Sequence, residues 1–131
     1  MEVVLDASVV VAALTADEDK GWALQDRLAE DVCFAPHLVD AEVGSVLRRR
    51  VAAGAMDEVS ALAALLRLPP MITERFSHGP LAASAWRLRH NLSYYDALYV
   101  ALAARLDVSL LTVDKRLANA PSLPCTVEVI S

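Results

Sequence analysis

The chain has 131 residues, of which 56% are hydrophobic and 22% are charged. This composition predicts a single folded domain over residues 1–131 and excludes intrinsic disorder. Twelve Lys and Arg residues against 17 Asp and Glu residues give a formal net charge of −5. The overall field therefore does not favour nucleic acid, and a polyanionic substrate would need a local basic patch or a bound metal.

The compartment is predicted from three features of the composition. No apolar stretch approaches the roughly 20 residues that cross a bilayer, so no membrane-spanning segment is expected. The start Met-Glu-Val-Val-Leu-Asp has no basic region and predicts no signal peptide. Cys33 and Cys125 lack metal-ligand spacing and are typical of buried thiols in a reducing cytoplasm, the alternatives being a disulfide or a zinc site. A cytoplasmic location is expected.

Short apolar runs alternate with stretches of helical period along the chain. The runs predict strands at residues 3–5, 32–35, 71–76, 109–113 and 125–130. Helical period and capping residues predict helices at residues 9–14, 17–31, 37–53, 56–68, 80–90, 93–106 and 114–120. This alternation predicts an α/β fold with a mostly parallel five-stranded sheet.

Glu42 lies in the middle of an apolar stripe on the helix predicted for residues 37–53. At 100° per residue it shares a face with Leu38, whereas Asp40 lies about 160° away and is expected in solvent. Burying an unpaired carboxylate costs several kcal/mol, so Glu42 needs a cation, a metal or a water-filled cleft. The alternative is a side chain that reaches water from the stripe's edge, or one that pairs with Arg49 about two turns away.

Three further acids lie at the ends of predicted elements. Asp6 follows the first strand, Asp114 follows the fourth, and Asp96 lies in the first turn of a helix that is apolar nearly all round. Each has an alternative role as a helix cap, and Ser93 to Asp96 has the spacing of a capping box. Ligands bind open α/β sheets beyond the carboxyl ends of the strands, so Asp6 and Asp114 would meet there if their strands are neighbours.

Four converging carboxylates repel one another unless cations lie between them. Mg²⁺ and Mn²⁺ prefer oxygen ligands, so such a cluster of carboxylates predicts one or two hard divalent ions. The three histidines have no metal-ligand spacing, which argues against zinc. They are His37, His78 and His90.

Four short motifs, in this order and spacing, resemble those of a known family. They are Val-Val-Leu-Asp-Ala-Ser at residues 3–8, Ala-Pro-His-Leu-Val-Asp-Ala-Glu-Val at 35–43, Tyr-Tyr-Asp-Ala-Leu-Tyr at 94–99 and Leu-Thr-Val-Asp-Lys-Arg-Leu at 111–117. Together they resemble the PIN-domain ribonucleases, most closely the VapC toxins of type II toxin–antitoxin pairs. The resemblance covers essentially the whole chain. It implies a three-layer α/β/α domain, Mg²⁺- or Mn²⁺-dependent RNA cleavage, a homodimer and a cognate VapB-type antitoxin.

The resemblance also assigns roles to individual residues. The family's acidic quartet, which holds the metal and carries catalysis, corresponds to Asp6, Glu42, Asp96 and Asp114. Its polar companions, expected to hydrogen-bond to the acids, correspond to Ser8 and Thr112. Near this centre the basic residues expected to hold RNA are Arg49, Lys115 and Arg116, although residues 48–50 also fit a solvated helix end that favours the helix dipole.

An apolar segment at residues 55–68 fits either ordinary core or a groove that a helix of another chain completes. The resemblance implies that this other chain is the antitoxin, together with a second toxin copy. Three other functions compete with the ribonuclease toxin. A receiver-like phospho-acceptor module would use Asp6 and Mg²⁺, but it usually has paired acids after its first strand, and Asp6 has no acidic neighbour. A non-catalytic interaction protein would use every Asp as a cap. A DNA 5′-nuclease relative would need insertions to grip a duplex, and the chain is short for them.

Overall fold

The computed structural model describes residues 1–15 and 18–130. The strands are β1 (Glu2–Leu5), β2 (Val32–Pro36), β3 (Glu74–Phe76), β4 (Ser109–Thr112) and β5 (Val127–Val129). The α-helices of the described residues are α1 (Ala7–Thr15), α2 (Glu18–Ala29), α3 (Leu38–Ala52), α4 (Glu58–Arg67), α5 (Ala82–Arg87), α6 (Tyr94–Leu106) and α7 (Lys115–Ala118). The predicted start of the second helix at Asp17 lies outside the described residues. None of the helices described is long and apolar enough to cross a membrane.

The five strands form one sheet in the order β3-β2-β1-β4-β5, and every neighbouring pair is parallel. The central strand β1 places Val3, Val4 and Leu5 at 0% exposure. Because successive strand residues point to opposite faces, both faces of β1 must be covered, as in a parallel sheet between two layers of helices. The predicted α/β fold with a five-stranded sheet is confirmed, and the sheet is wholly parallel.

Helix α6 is largely buried. It packs against β1, β2, β4 and α5, and its residues 97–103 are all buried. The Ser93 hydroxyl caps its start by accepting a hydrogen bond from the Asp96 backbone N–H at 3.2 Å. Asp107 ends it in the left-handed region, at φ +54°. The helix therefore holds Asp96 rigidly at the edge of the core.

The start of α3 is fixed by two contacts from the β3 side of the sheet. The Leu38 backbone N–H donates to Nε2 of His78 at 2.9 Å, which satisfies a donor that the helix itself leaves unpaired. Arg75 forms two hydrogen bonds of 2.7 and 2.9 Å with the Asp40 carboxylate. Asp40, predicted to face solvent, does so in part and also pairs with Arg75.

Several predicted elements are longer than those of the structure, including the strand predicted at residues 125–130, which is Val127–Val129. Proline accounts for two of these differences. The strand predicted from residue 71 begins at Glu74, because Pro69–Met71 forms a 3₁₀ turn that follows α4. The helix predicted from Pro80 begins instead with a 3₁₀ turn at Gly79–Leu81, and the α-helical part is only six residues long. Proline fits the first turn of a short helix, since its missing N–H would be unpaired there.

Candidate active site

The sheet order creates a crevice at the carboxyl ends of β1 and β4. From β1 the chain moves outward through β2 and β3, and it then returns to add β4 on the other side of β1. Such a reversal is the topological switch point at which α/β proteins bind ligands. Asp6 directly follows β1, and Asp114 lies two residues after β4. Strands β1 and β4 are therefore neighbours, as the expected meeting of Asp6 and Asp114 requires.

Asp6 is held by donors from both strand ends. It is 6% exposed, and its Oδ1 accepts from the Ser8 hydroxyl and from the Val9 backbone N–H at 3.1 Å. Its Oδ2 accepts from the Thr112 hydroxyl at 2.6 Å. The Val9 contact shows that Asp6 also caps α1. Both carboxylate oxygens are thus oriented, and Ser8 and Thr112 are the polar companions that the sequence predicts.

Thr112 ties this network to Asp114. Its Oγ1 accepts from the Asp114 backbone N–H at 3.0 Å, and the Ser8 Oγ accepts from the Val113 backbone N–H at 3.1 Å. The Asp114 carboxylate in turn accepts from the Arg116 backbone N–H at 2.8 Å and caps α7. The capping role and a position at the crevice therefore coexist in Asp114, as they do in Asp6.

Glu42 and Asp96 complete the acidic cluster from α3 and α6, and both are half-buried. Burial raises the pKa of Glu42, and the charges of Asp96 and Asp6 raise it further. Burial likewise raises the pKa of Asp96, with a further increase from Asp114. Burial also raises the pKa of Asp6 above its usual value, despite the opposing effect of its three hydrogen-bond donors. The predicted acids are thus close enough to act on one another.

The acidic cluster matches the chemistry of a hard divalent ion. No three Asp, Glu, His or Cys side chains among the described residues are close enough, as arranged, to enclose a metal. The donor set nevertheless contains only carboxylate and hydroxyl oxygens, which suits Mg²⁺ or Mn²⁺ and not zinc. Burial and neighbouring carboxylates raise the pKa values of Asp6, Glu42 and Asp96, as in a cluster whose charged form a cation would stabilise.

The predicted basic residues surround this cluster at the surface. Arg116 is 95% exposed and has its Nε 3.6 Å from Oδ1 of Asp114, and its charge lowers the pKa of Asp96. The charge of Arg49 similarly lowers the pKa of Glu42. Lys115 is exposed in the first turn of α7. Two of the three cations thus act electrostatically on the acidic centre.

Tyr99 is a site residue that sequence reasoning missed. It shares the Asp96 face of α6, but the apolar surroundings of that helix marked it as a core residue. In the structure it is 1% exposed, and the Glu42, Asp6 and Asp96 charges all act on its hydroxyl. Only its spacing of three residues from Asp96 pointed to this position.

Substituting Thr112 by Val should destabilise the fold by about 1–3 kcal/mol, because Val keeps the shape but leaves the buried Asp6 oxygen and the Asp114 N–H without a partner. The free energy of unfolding from urea titration measures the loss. Thr112→Ser keeps the hydroxyl and serves as the control. Equal stability of Thr112→Val and the unsubstituted chain would contradict the importance of this network.

Comparison with known proteins places this geometry in a family. The family model described as "PIN domain" matches residues 3–123. The chain is 50% identical to Ribonuclease VapC1 of Mycobacterium tuberculosis over 130 residues, covering 98% of both chains. It is 42% identical to Ribonuclease VapC3 of the same organism over 119 residues, covering 91% of this chain and 87% of the relative.

Solved structures share the same fold. The crystal structure of VapBC2 from Rickettsia felis, bound to a DNA fragment from the promoter, matches with a TM-score of 0.72 at 15% identity, and the match covers both chains completely.

A receiver-like module is excluded by the family match and by the extent of the 50% identity. The chain belongs to the PIN-domain family, and within it to the VapC ribonucleases.

Proposed function

We propose that this chain is the toxin of a type II toxin–antitoxin pair, a metal-dependent endoribonuclease that hydrolyses RNA phosphodiester bonds. One observation carries the proposal: the acids at positions 6, 42, 96 and 114 gather at the β1–β4 switch point of a VapC-family chain. Burial and neighbouring charges raise the pKa values of three of these carboxylates, so their charged forms destabilise the fold. Clusters of this kind are typical of functional sites.

The four acids would share the work of holding Mg²⁺ or Mn²⁺. The ion, when bound, lowers the pKa of its water and neutralises charge on the phosphoryl oxygens. Asp6 presents a carboxylate whose direction is already set by Ser8 and Thr112, which lowers the entropic cost of binding. Asp96 lies beside it, while Glu42 and Asp114 complete the ligand set or orient water.

The proposed activity can be tested on a mixed pool of cellular RNA. Purified protein is incubated with Mg²⁺, with Mn²⁺ or with a chelator, and Asp6→Asn is assayed alongside. Discrete fragments that require metal and are absent with Asp6→Asn would support the proposal and identify the RNA target. A folded chain that cleaves nothing in any arm would overturn it, and cleavage that survives the substitution would overturn the site assignment.

The RNA backbone is proposed to lie along Arg49, Lys115 and Arg116, which offset the negative centre. Arg116→Ala should weaken RNA binding by Asp6→Asn protein and reduce the slope of log affinity against log salt by about 1, as for one lost phosphate contact. Filter binding at several salt concentrations measures both quantities. Arg87→Ala, an exposed arginine on α5, is the matched control. A slope equal to that of the control would remove Arg116 from the RNA surface.

The antitoxin is proposed to bind the groove between α3 and α4. Leu47 and Val51 of α3 line it together with Leu62 and Leu65 of α4, and Leu62 is 56% exposed. An exposed apolar groove on a chain of this size fits the apolar face of a partner helix. This matches the apolar segment singled out in the sequence, and we further propose that two toxin copies associate in the complex.

Leu62→Asp should therefore weaken capture of the cognate antitoxin by about tenfold or more, since it places a charge in a buried apolar contact. Ala63→Asp is the matched control, because Ala63 is exposed on the same helix and does not line the groove. Isothermal titration with the antitoxin measures both variants. Equal losses for the two would place the antitoxin elsewhere.

Two further assignments complete the proposal. Residues 1–131 are proposed to form one PIN domain, which agrees with a family match that spans most of the chain. The protein is proposed to act in the cytoplasm. The free thiols of Cys33 and Cys125 suit a reducing compartment, and cell fractionation tests the location.

A further inference from the structure

Tyr99 carries a buried hydroxyl beside the acidic cluster. It lies on α6 between Leu98 and Val100, both buried, and its hydroxyl is closed off from solvent. That hydroxyl makes no hydrogen bond of acceptable geometry within the described residues. Phenylalanine would fill the same space without burying an unpaired O–H, so packing alone does not account for the hydroxyl.

The acceptor that the described residues offer to this hydroxyl is the Glu42 carboxylate. The two groups lie near enough that Tyr99 lowers the pKa of Glu42, while burial and the Glu42 charge raise the pKa of Tyr99 far above its usual value. The phenol O–H is a hydrogen-bond donor, and a carboxylate oxygen is an acceptor that suits it.

Glu42 has few other means of fixing its orientation. Asp6 receives three donors, and Asp114 receives the Arg116 backbone N–H. Among the described residues, no backbone N–H or hydroxyl donates a hydrogen bond of acceptable geometry to the Glu42 carboxylate. Of the causes that change the pKa of Glu42, the charge of Arg49 is the smallest. Ser8 and Thr112 orient the Asp6 carboxylate by donating hydrogen bonds to it. The buried Tyr99 hydroxyl is the donor available to orient Glu42 in the same way.

We propose that Tyr99 is a positioning residue, which donates a hydrogen bond to the Glu42 carboxylate and orients it toward the divalent ion. The inference rests on the proposed function, because it takes Glu42 as a metal ligand. It connects α6 to α3 through the site, so the helix that carries Asp96 also sets the direction of the glutamate opposite. Ligand-orienting partners of this kind typically change metal affinity by about 10–100-fold.

The test is Mn²⁺ binding by Tyr99→Phe. Its dissociation constant, from titration followed by electron paramagnetic resonance, should rise about tenfold or more, and the spectrum of bound Mn²⁺ should change. The melting temperature in chelator should stay the same or rise, since an unpaired buried hydroxyl is removed. Tyr94→Phe is the matched control, because Tyr94 is exposed on the same helix and lies against Trp86. Affinity within twofold of the control would overturn the inference, and so would a loss that accompanies a lower melting temperature.

A double substitution establishes whether the effect passes through Glu42. In a Glu42→Ala background, Tyr99→Phe should cause little further loss of Mn²⁺ affinity, because the acceptor of the Tyr99 hydrogen bond has been removed. An equal loss in both backgrounds would assign the effect to packing and overturn the inference. Wild-type protein that binds no Mn²⁺ would overturn the proposed function as well, whereas wild-type binding retained by Tyr99→Phe would overturn the positioning role alone.

Discussion

Asp96→Asn is expected to reduce metal-dependent RNA cleavage by at least about a thousandfold while making the metal-free protein more resistant to heat. The loss of cleavage follows because the substitution removes one negative ligand from the ion that stabilises the transition state. The gain in stability follows because burial and Asp114 raise the pKa of Asp96, so its charged form is unfavourable in the fold. Cleavage rates and the melting temperature in chelator at neutral pH measure the two effects.

A lower cleavage rate together with a higher melting temperature distinguishes this prediction from a folding defect, which would lower both. Asp26→Asn, at an exposed aspartate on α2, serves as the control and should change neither quantity. The extra stability of Asp96→Asn should shrink as the pH is lowered toward the ordinary aspartate value of 3.8, since the wild-type carboxyl then becomes neutral as well. A variant that loses both activity and stability would mean that Asp96 is a structural cap.

Saturating Mn²⁺ should stabilise the chain by about 2.7 kcal/mol when present at a hundred times its dissociation constant. This stabilisation should decrease as the pH falls from neutral through the raised pKa values of Asp6, Glu42 and Asp96, because protons compete with the metal for these carboxylates. Urea unfolding with and without Mn²⁺ across this pH range measures the difference.

In the metal-free chain, these carboxyl groups should make the free energy of unfolding larger as the pH falls, whereas the stabilisation by Mn²⁺ becomes smaller. Asp6, Glu42 and Asp96 have raised pKa values, so their contribution to stability is complete below the ordinary values of 3.8 and 4.5 and is lost as the pH rises through the raised ones. Asp6→Asn should reduce the dependence on pH in chelator. If Mn²⁺ stabilises Asp6→Asn as much as wild type, the ion binds elsewhere.

The local pattern of the sequence was enough for the elements and for the acids that interrupt them. Val3-Val4-Leu5 indicated a buried strand, and Glu42 within an apolar stripe indicated a special carboxylate. The strand order was not available from local patterns, since pairing of β1 with β4 depends on contacts across more than a hundred residues. Whether Asp6 and Asp114 meet depends on that order, which the sequence leaves as a condition and the structure supplies.

The contacts that orient the acids were hidden for the same reason. The Thr112 hydroxyl reaches Asp6 across 106 residues, and the His78 imidazole accepts from Leu38 across 40. Neither pair has a spacing that a helical or strand period would reveal. Tyr99 was hidden for another reason, because a tyrosine in an apolar helix is indistinguishable by pattern from a core residue.

The Asp6–Thr112 hydrogen bond joins the first strand of the sheet to the fourth, and this has a consequence for protein synthesis. A chain still on the ribosome has made Asp6 long before β4 has emerged, and closing so long a loop must await the later residues. The acidic centre of the proposed nuclease therefore stays incomplete until β4 has emerged. Each nascent copy thus gains the oriented Asp6 carboxylate only at this late step of its synthesis.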